Sequence, residues 1–319
     1  MNKDKIKSLQ EIIKNSLIPL INADYALLDV PNHNNIGDNL IWEGEIQFLK
    51  QFVPYKCLYE ANVLNWDEEC IKDIDVILFH GGGNWGDLYR ECQELRNYIT
   101  SKYTDKRIII FPQTVWYNDR SFIEYDCKIY DKHPNVTICV RDQLSYDTLL
   151  PYISSKKLSL LPDMAFFVSP PDVMECARNR KLMLMRTDSE IDRDSVTVIQ
   201  GCDVKDWPTF SNFRYIGGLQ LRWMKFKNKL AVIMQKNHLT RGLVDPAYGL
   251  NNRNNREKFI QKGYRFLAPY KLIYTTRLHG LILGILMGKD MVIVDNKYNK
   301  CSNFYSTWLQ DFEHISLIK

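Results

Sequence analysis

Short apolar runs recur along this chain, separated by amphipathic stretches of helical period. Tyr25–Val30, Asp75–His80, Arg107–Phe111 and Thr137–Val140 read as buried strands of four to six residues. Between them, Asp38–Phe52, Asp87–Ser101, Ser121–Asp131 and Asp142–Leu150 carry helical spacing. Several of these helices open on an aspartate, suited to an N-cap or first turn. Strands buried on both faces and joined through helices pair in parallel, so an α/β fold with helix-covered parallel sheets is expected. Asp4–Ile18 puts Ile6, Leu9, Ile12, Ile13 and Leu17 on one face and reads as a docked helix.

The rhythm breaks at Ser169-Pro170-Pro171-Asp172 and the polar segment Glu175–Lys181. Two adjacent prolines stiffen the chain and end regular structure. Alternation restarts with strands expected at Leu182–Met185, Val196–Gln200, Leu272–Thr275 and Met291–Asp295, and the Asn/Gly-rich stretch from Gly242 to Arg256 reads as a loop. At about 150 residues per domain, 319 residues fit two domains. Residues 1–172 and 173–319 are therefore expected to form two α/β halves facing a cleft. In parallel sheets ligands sit at the carboxyl ends of strands, which directs the search for a site.

Composition excludes several classes. Apolar residues make up 45% and charged residues 25%, as in an ordinary globular protein. The net charge of +4 is mild, and the basic stretch Arg222 to Lys229 is interrupted by Trp, Met and Phe, so no nucleic-acid partner is expected. Whether the first helix or the Trp/Arg-rich segment 220–228 touches a membrane is left open by the sequence, with packing the expected role. Eight scattered cysteines (57, 70, 92, 127, 139, 176, 202, 301) without a CxxC pair read as reduced thiols. No signal peptide is expected from residues 1–20, and the longest apolar stretch, Leu281 to Met287, is far short of a membrane span. A cytoplasmic protein is expected, at most in peripheral contact with the inner face of a membrane.

Five constellations fall at strand ends. Asn34-Asn35-Ile36-Gly37-Asp38-Asn39 follows the first strand, with Asp38 placed to cap a helix and aim a carboxylate at the cleft. Gly81-Gly82-Gly83-Asn84-Trp85-Gly86-Asp87 reads as a loop before a helix, able to cradle an anion or admit a sugar to the backbone, with Trp85 placed either to stack on it or to fill the core. The strand at Phe111 is expected to stop at Pro112, leaving Gln113 and Thr114 facing the cleft. Arg141-Asp142 and Leu161-Pro162-Asp163 put charged groups just past strands, where an arginine forks a carboxylate or phosphate or serves a capping arrangement. Tyr274-Thr275-Thr276-Arg277-Leu278-His279-Gly280 sets a cation and an imidazole where a buried strand becomes a helix, an anion site with a proton donor. Lys297 and Lys300 add to that rim. Asp73-Ile-Asp75 precedes a strand and reads as strand entry rather than a metal site. No GxSxG, HExxH or zinc spacing is present.

Asn35-Ile36-Gly37-Asp38, Gly81–Gly83, Phe111-Pro112-Gln113, Val140-Arg141-Asp142, Leu161-Pro162-Asp163, Thr276-Arg277-Leu278-His279-Gly280 and Val294-Asp295-Asn296-Lys297-Tyr298-Asn299-Lys300 follow one another as in polysaccharide pyruvyl transferases. The chain resembles that family from about residue 25 to residue 305. The resemblance implies two Rossmann-like domains in a GT-B-like arrangement, with the acceptor on the N-terminal side and phosphoenolpyruvate on the C-terminal side. It implies transfer of the enolpyruvyl unit of phosphoenolpyruvate to two hydroxyls of one sugar as a cyclic ketal. Arg141, Arg277, Leu278, His279 and Lys300 would bind phosphoenolpyruvate, with His279, Arg277 and Asp38 catalytic. Asn35, Asp38, Asn39, Gly82, Gly83, Asn84 and Gln113 would meet the acceptor. Phosphoenolpyruvate is then a co-substrate, and no cofactor or metal is expected. A galactose 4,6-ketal on a lipid-linked capsule or exopolysaccharide precursor is the family default. The rival readings are a GT-B glycosyltransferase using a nucleotide sugar and a non-catalytic glycan-binding protein.

Overall fold

The computed structural model describes residues 2–171, 180–188, 199–211, 217–237, 239–251, 255–295 and 299–318. The boundary expected near residue 172, Cys176, residues 196–198 of an expected strand and Lys297 lie outside those residues.

The first half runs α1 (Lys3–Leu17), β1 (Tyr25–Leu28), α2 (Ile36–Phe52), β2 (Cys57–Ala61), β3 (Val76–Phe79), β4 (Gly82–Gly86), α3 (Arg90–Lys102), β5 (Arg107–Trp116), α4 (Ser121–Lys132), β6 (Val136–Val140), α5 (Gln143–Leu149) and β7 (Leu158–Leu160). The second half runs β8 (Lys181–Leu184), β9 (Asp203–Lys205), α6 (Pro208–Ser211), α7 (Gly217–Gln235), α8 (Asn255–Leu267), β10 (Leu272–Thr275), α9 (Leu278–Leu286), β11 (Asp290–Val294), α10 (Lys300–Phe304) and β12 (Ile315–Ile318).

These strands form two sheets, and every ladder described in them is parallel. The first has the order β2-β1-β3-β5-β6-β7, with β4 also paired to β5; the second has the order β9-β8-β10-β11-β12. Both share one logic: the second strand lies outside the first, and the third lies on its other side. The strand order therefore reverses between β1 and β3 and again between β8 and β10. A crevice opens at the carboxyl ends at such a reversal, because successive crossovers leave on opposite faces.

Side-chain alternation fills both faces of the first sheet. Ala26, Leu28, Ile77, Phe79, Ile108 and Ile110 enter one apolar cluster, while Tyr25, Leu27, Val76, Leu78, Ile109 and Phe111 enter another. The core of the second sheet extends into the first half of the chain, taking in Leu9 of α1, Ile36 and Leu40 of α2, and Phe166. This cluster packs the second sheet and its helices against α1, α2 and residues 165, 166 and 168 of the first half.

Several expectations are corrected. β5 does not stop at Pro112. Its pairing with β3 ends at Ile110 and its pairing with β4 begins at Gln113, so Pro112 falls in a ladder irregularity where its missing N–H is not needed. The glycine run is not a loop leading directly into a helix: Gly82–Gly86 is β4, with α3 beginning only at Arg90. Gly86 lies at φ +120° with the Trp116 carbonyl oxygen 1.8 Å from where a Cβ would sit, so only glycine fits. Trp85 is 1% exposed and packs on Tyr130, so it serves the core. The loop from Gly242 ends earlier than expected, since α8 already includes Asn255 and Arg256. Within 220–228, Trp223 and Phe226 do not pack inward, being 59% and 54% exposed. β2, β7, β9 and β12 carry no strand signal strong enough to be anticipated, being short and placed at or near sheet edges.

Candidate active site

Residues that follow β1 and β3 and residues that follow β8 and β10 line one pocket of about 500 Å³. Both strand-order reversals thus open onto the same space. Several of the side chains that line it are held in place by charged partners.

Behind β1, Asp29 takes a left-handed backbone (φ 64°) and turns its carboxylate to Arg96 (2.8 Å) and the Asn84 amide (2.9 Å). Aspartate is among the few residues that tolerate this conformation. Arg96 is fully buried and also donates to the Asn84 carbonyl. This ties the end of β1 to β4 and orients Asn84 in the pocket wall.

At the start of α2 the cap is Asn35, whose side chain accepts from the Gly37 N–H (3.0 Å). Asp38 sits one turn in rather than at the cap, bonded by the Asn35 amide (2.7 Å) and close to His33 (3.5 Å). Burial pushes the Asp38 carboxyl up, but His33, His279, His80 and Arg141 together bring it below the usual carboxylate value. It stays ionised beside the pocket.

At the end of β3, His80 and Glu45 form a buried pair that sequence reasoning missed. Glu45 comes from the third turn of α2, is fully buried, and accepts from the Gly81 N–H (2.8 Å) while contacting His80 Nδ1 at 2.7 Å. With the carboxylate as acceptor, Nδ1 carries the proton. His80 lines the pocket, and its Nε2 has no hydrogen-bond partner among the protein groups. Burial pushes Glu45 up; burial alone would lower His80, and Glu45 reverses that and raises it.

Arg141, at the end of β6, is 2% exposed, so it is no surface cap. Its Nε donates to Thr114 Oγ1 (2.8 Å) and one terminal nitrogen to Asp163 Oδ2 (2.7 Å). The other terminal nitrogen lies 3.4 Å from where a Cβ on Gly83 would be, with Lys300 Nζ at 3.5 Å from the same point. Two cations thus converge beside Gly83. Asp142 caps α5 through the Ser145 N–H.

From β10 and α9 come Arg277 and His279. Arg277 forms a fork with Asp206 (2.5 and 2.7 Å) and reaches Asp188 (3.1 Å). His279 Nε2 lies 3.3 Å from Asp163 and 3.4 Å from Arg141. Arginine only donates, so the neutral imidazole accepts from Arg141, whereas the protonated ring donates to Asp163. Burial would raise Asp163, and His279 and Arg141 outweigh it, holding the carboxyl far below its usual value.

The pocket therefore gathers Arg141, Arg277, Leu278, His279 and Lys300, together with Asn35, Asp38, Gly83 and Asn84. Gln113, Thr114, Asn39 and Gly82 do not line it. The Gln113 side chain bonds the His80 carbonyl (2.7 Å) and the Asn84 N–H (3.3 Å), Thr114 holds Arg141, and Asn39 pins the 33–35 turn through the His33 and Asn35 carbonyls. Gln113 and Thr114, expected to face the cleft, support it from behind. Among the described residues no group of three or more His, Cys, Asp and Glu side chains is placed to hold a metal ion.

The family model described as polysaccharide pyruvyl transferase matches residues 35–298. The chain is similar to EpsO of Bacillus subtilis (strain 168), with 28% identity covering 99% of this chain and 93% of that protein. It is also similar to pyruvyl transferase 1 of Schizosaccharomyces pombe, with 29% identity covering 89% of this chain and 69% of that one. In fold it resembles the crystal structure of an uncharacterised protein from Klebsiella pneumoniae subsp. pneumoniae NTUH-K2044, with a TM-score of 0.62 and 18% identity over 98% of both chains.

Proposed function

This chain belongs to the polysaccharide pyruvyl transferase family, and on that premise we propose that it transfers the enolpyruvyl unit of phosphoenolpyruvate to two hydroxyls of one sugar, as a ketal. The observation that carries this reading is that Arg141, Lys300, Arg277 and His279 all line one pocket. Phosphoenolpyruvate brings a carboxylate and a phosphate, and a site with three cations plus the N-terminus of α9 suits two anionic groups on a small molecule. We read the two sheets as two Rossmann-like domains, divided near residue 172, with this donor site contributed mainly by the second.

Ketal formation needs a proton on the methylene carbon, which leaves an oxocarbenium-like centre at C2. One hydroxyl adds there and loses its proton; the C–O bond to phosphate then breaks, and the second hydroxyl closes the ring. Of the two hydroxyl protons, one replaces that delivered to carbon and one leaves with phosphate. In this scheme His279, which when protonated donates to Asp163, is the acid. Asp38 and the Nε2 of His80, backed by Glu45, are the bases for the two hydroxyls. The steps are heterolytic, so redox chemistry is not called on.

Asn35, Asn84 and Asp38, which line the same pocket, offer two amides and a carboxylate suited to the hydroxyls of a sugar. A galactose residue ketalated at O4 and O6, on a lipid-linked precursor of a capsule or exopolysaccharide, is the acceptor we propose. Incubating the protein with phosphoenolpyruvate and a panel of galactosides tests this. A product heavier by one pyruvate ketal, with one equivalent of inorganic phosphate released, is expected. Binding of a uridine or guanosine diphosphate sugar without any consumption of phosphoenolpyruvate would point to glycosyl transfer instead.

A further inference from the structure

Between residues 207 and 244 the chain carries seven lysines and arginines and not one aspartate or glutamate. Most of this stretch is α7 and the turn at Arg241–Leu243. On α7, Trp223, Phe226 and Ile233 are 59%, 54% and 57% exposed. With the half-buried Leu230 they recur at intervals of three and four, so they form one stripe along the helix. The Trp223 and Phe226 rings stack on each other (5.6 Å between centroids) rather than on the body of the protein. Arg222, Lys225, Lys229 and Lys236, all exposed, make a basic stripe beside the apolar one. The turn that follows adds Leu239 and Leu243, 92% and 70% exposed, and the exposed Arg241.

Residues 228 and 231 of α7 face the protein. Ala231 is fully buried, and Asn228 accepts from Asn32 (3.4 Å), a residue of the pocket wall. The helix thus lies on the rim of the active-site pocket with its basic and aromatic face outward.

Single exposed apolar residues are ordinary, but a continuous stripe of them marks a contact surface. Charge decides which partner fits. A second copy of the same face would press one set of cations against another without a compensating anion. A soluble polyanion would satisfy the cations and leave Trp223, Phe226 and Ile233 in water. An anionic bilayer answers both, taking the rings at the boundary between headgroups and acyl chains and the lysines and arginines at the phosphates. We propose that the outer face of α7, continued through Leu239 and Leu243, docks this protein on an anionic lipid bilayer with the helix lying in the plane of the interface. This does not depend on the reaction assigned to the pocket.

The test is flotation of the full chain with vesicles of phosphatidylcholine alone and of phosphatidylcholine mixed with phosphatidylglycerol. Binding to the mixed vesicles only, weakened by high salt, is expected. Replacing Arg222, Lys225, Lys229 and Lys236 together by glutamate should weaken it by about 100-fold or more. Trp223→Ser with Phe226→Ser should weaken it by about tenfold or more while leaving thermal unfolding unchanged. A second measurement needs no variant: lipids brominated on the acyl chains should quench tryptophan fluorescence of the wild-type protein. Absence of flotation, equal flotation of both variants, or a lack of quenching would overturn the proposal. So would a concentration-dependent dimer that both variants abolish, or binding to soluble heparin that the serine variant leaves intact in a protein that does not float.

Discussion

The imidazole of His279 rests directly on Gly37: a Cβ built on that glycine would lie 2.6 Å from His279 Nδ1 and 3.1 Å from both its Cβ and its Cγ. Gly37 belongs to the first turn of α2 and His279 to the first turn of α9, so one glycine sets where two helix starts from opposite halves of the chain meet. The conformation at Gly37 is helical and alanine would suit it; what the position demands is absence of volume. Gly37→Ala should therefore leave thermal stability nearly unchanged yet displace the imidazole from Asp163 and Arg141. A misplacement of about 1 Å costs on the order of 100-fold in rate. Phosphate release measured with donor and acceptor should drop by that order in kcat, and wild-type turnover in a folded Gly37→Ala protein would remove His279 from the mechanism.

Arg141 is held by two of its nitrogens, Nε on Thr114 and one terminal nitrogen on Asp163, and offers the third beside Gly83 and Lys300. A lysine there keeps the charge and loses the planar fork, so it cannot hold Thr114, Asp163 and an anion together. Arg141→Lys should raise KM for phosphoenolpyruvate by about 10-fold or more, with a smaller effect on kcat. An unchanged KM would count against its place at the donor.

The α/β rhythm was legible in the sequence, and so was the placing of Arg141, Arg277, His279 and Asp38 in strand-to-helix connections, which the structure brings to one pocket, because a strand followed by a helix is a local signal. What was illegible depends on partners far along the chain. β4 has the composition of a turn, Gly-Gly-Asn-Trp-Gly, and becomes a strand only by pairing with β5. Pro112 reads locally as a stop, and the strand continues because the ladder changes partner there. Glu45 is one polar residue in a mostly apolar helix, and nothing nearby announces that it meets His80, 35 residues on. A buried acid in α2 was the one available hint.

The Glu45–His80 pair makes a pH prediction whose sign follows from its electrostatics. Burial works to lower the His80 pKa, and Glu45 overrides it and holds the value above that of an ordinary histidine. If His80 acts as a base it must be neutral, so kcat/KM rises with pH through that pKa. Glu45→Gln removes the strongest of the charges that oppose burial, leaving only Asp29 and Asp38 against it, and the pKa falls. The acid limb of the profile should then move to lower pH, by about one pH unit or more, while the plateau drops by about 10- to 100-fold because the ring is no longer oriented. A lower plateau with an unmoved acid limb would assign the pair a purely structural role.

Arg277 and Asp206 separate binding from folding at the remaining cation. Their fork is nearly out of solvent, with side-chain exposures of 7% and 2%, so removing one partner strands the other. Arg277→Ala should destabilise the protein by about 3–5 kcal/mol, and its loss of activity alone would be ambiguous. Adding Asp206→Asn removes the stranded charge, while the amide still donates and accepts. The Arg277→Ala/Asp206→Asn protein should regain most of the lost stability in denaturant unfolding, yet remain unable to release phosphate from phosphoenolpyruvate. Recovery of both would make Arg277 a structural counter-ion to Asp206 and Asp188, and the donor site would then rest on Arg141, Lys300 and His279.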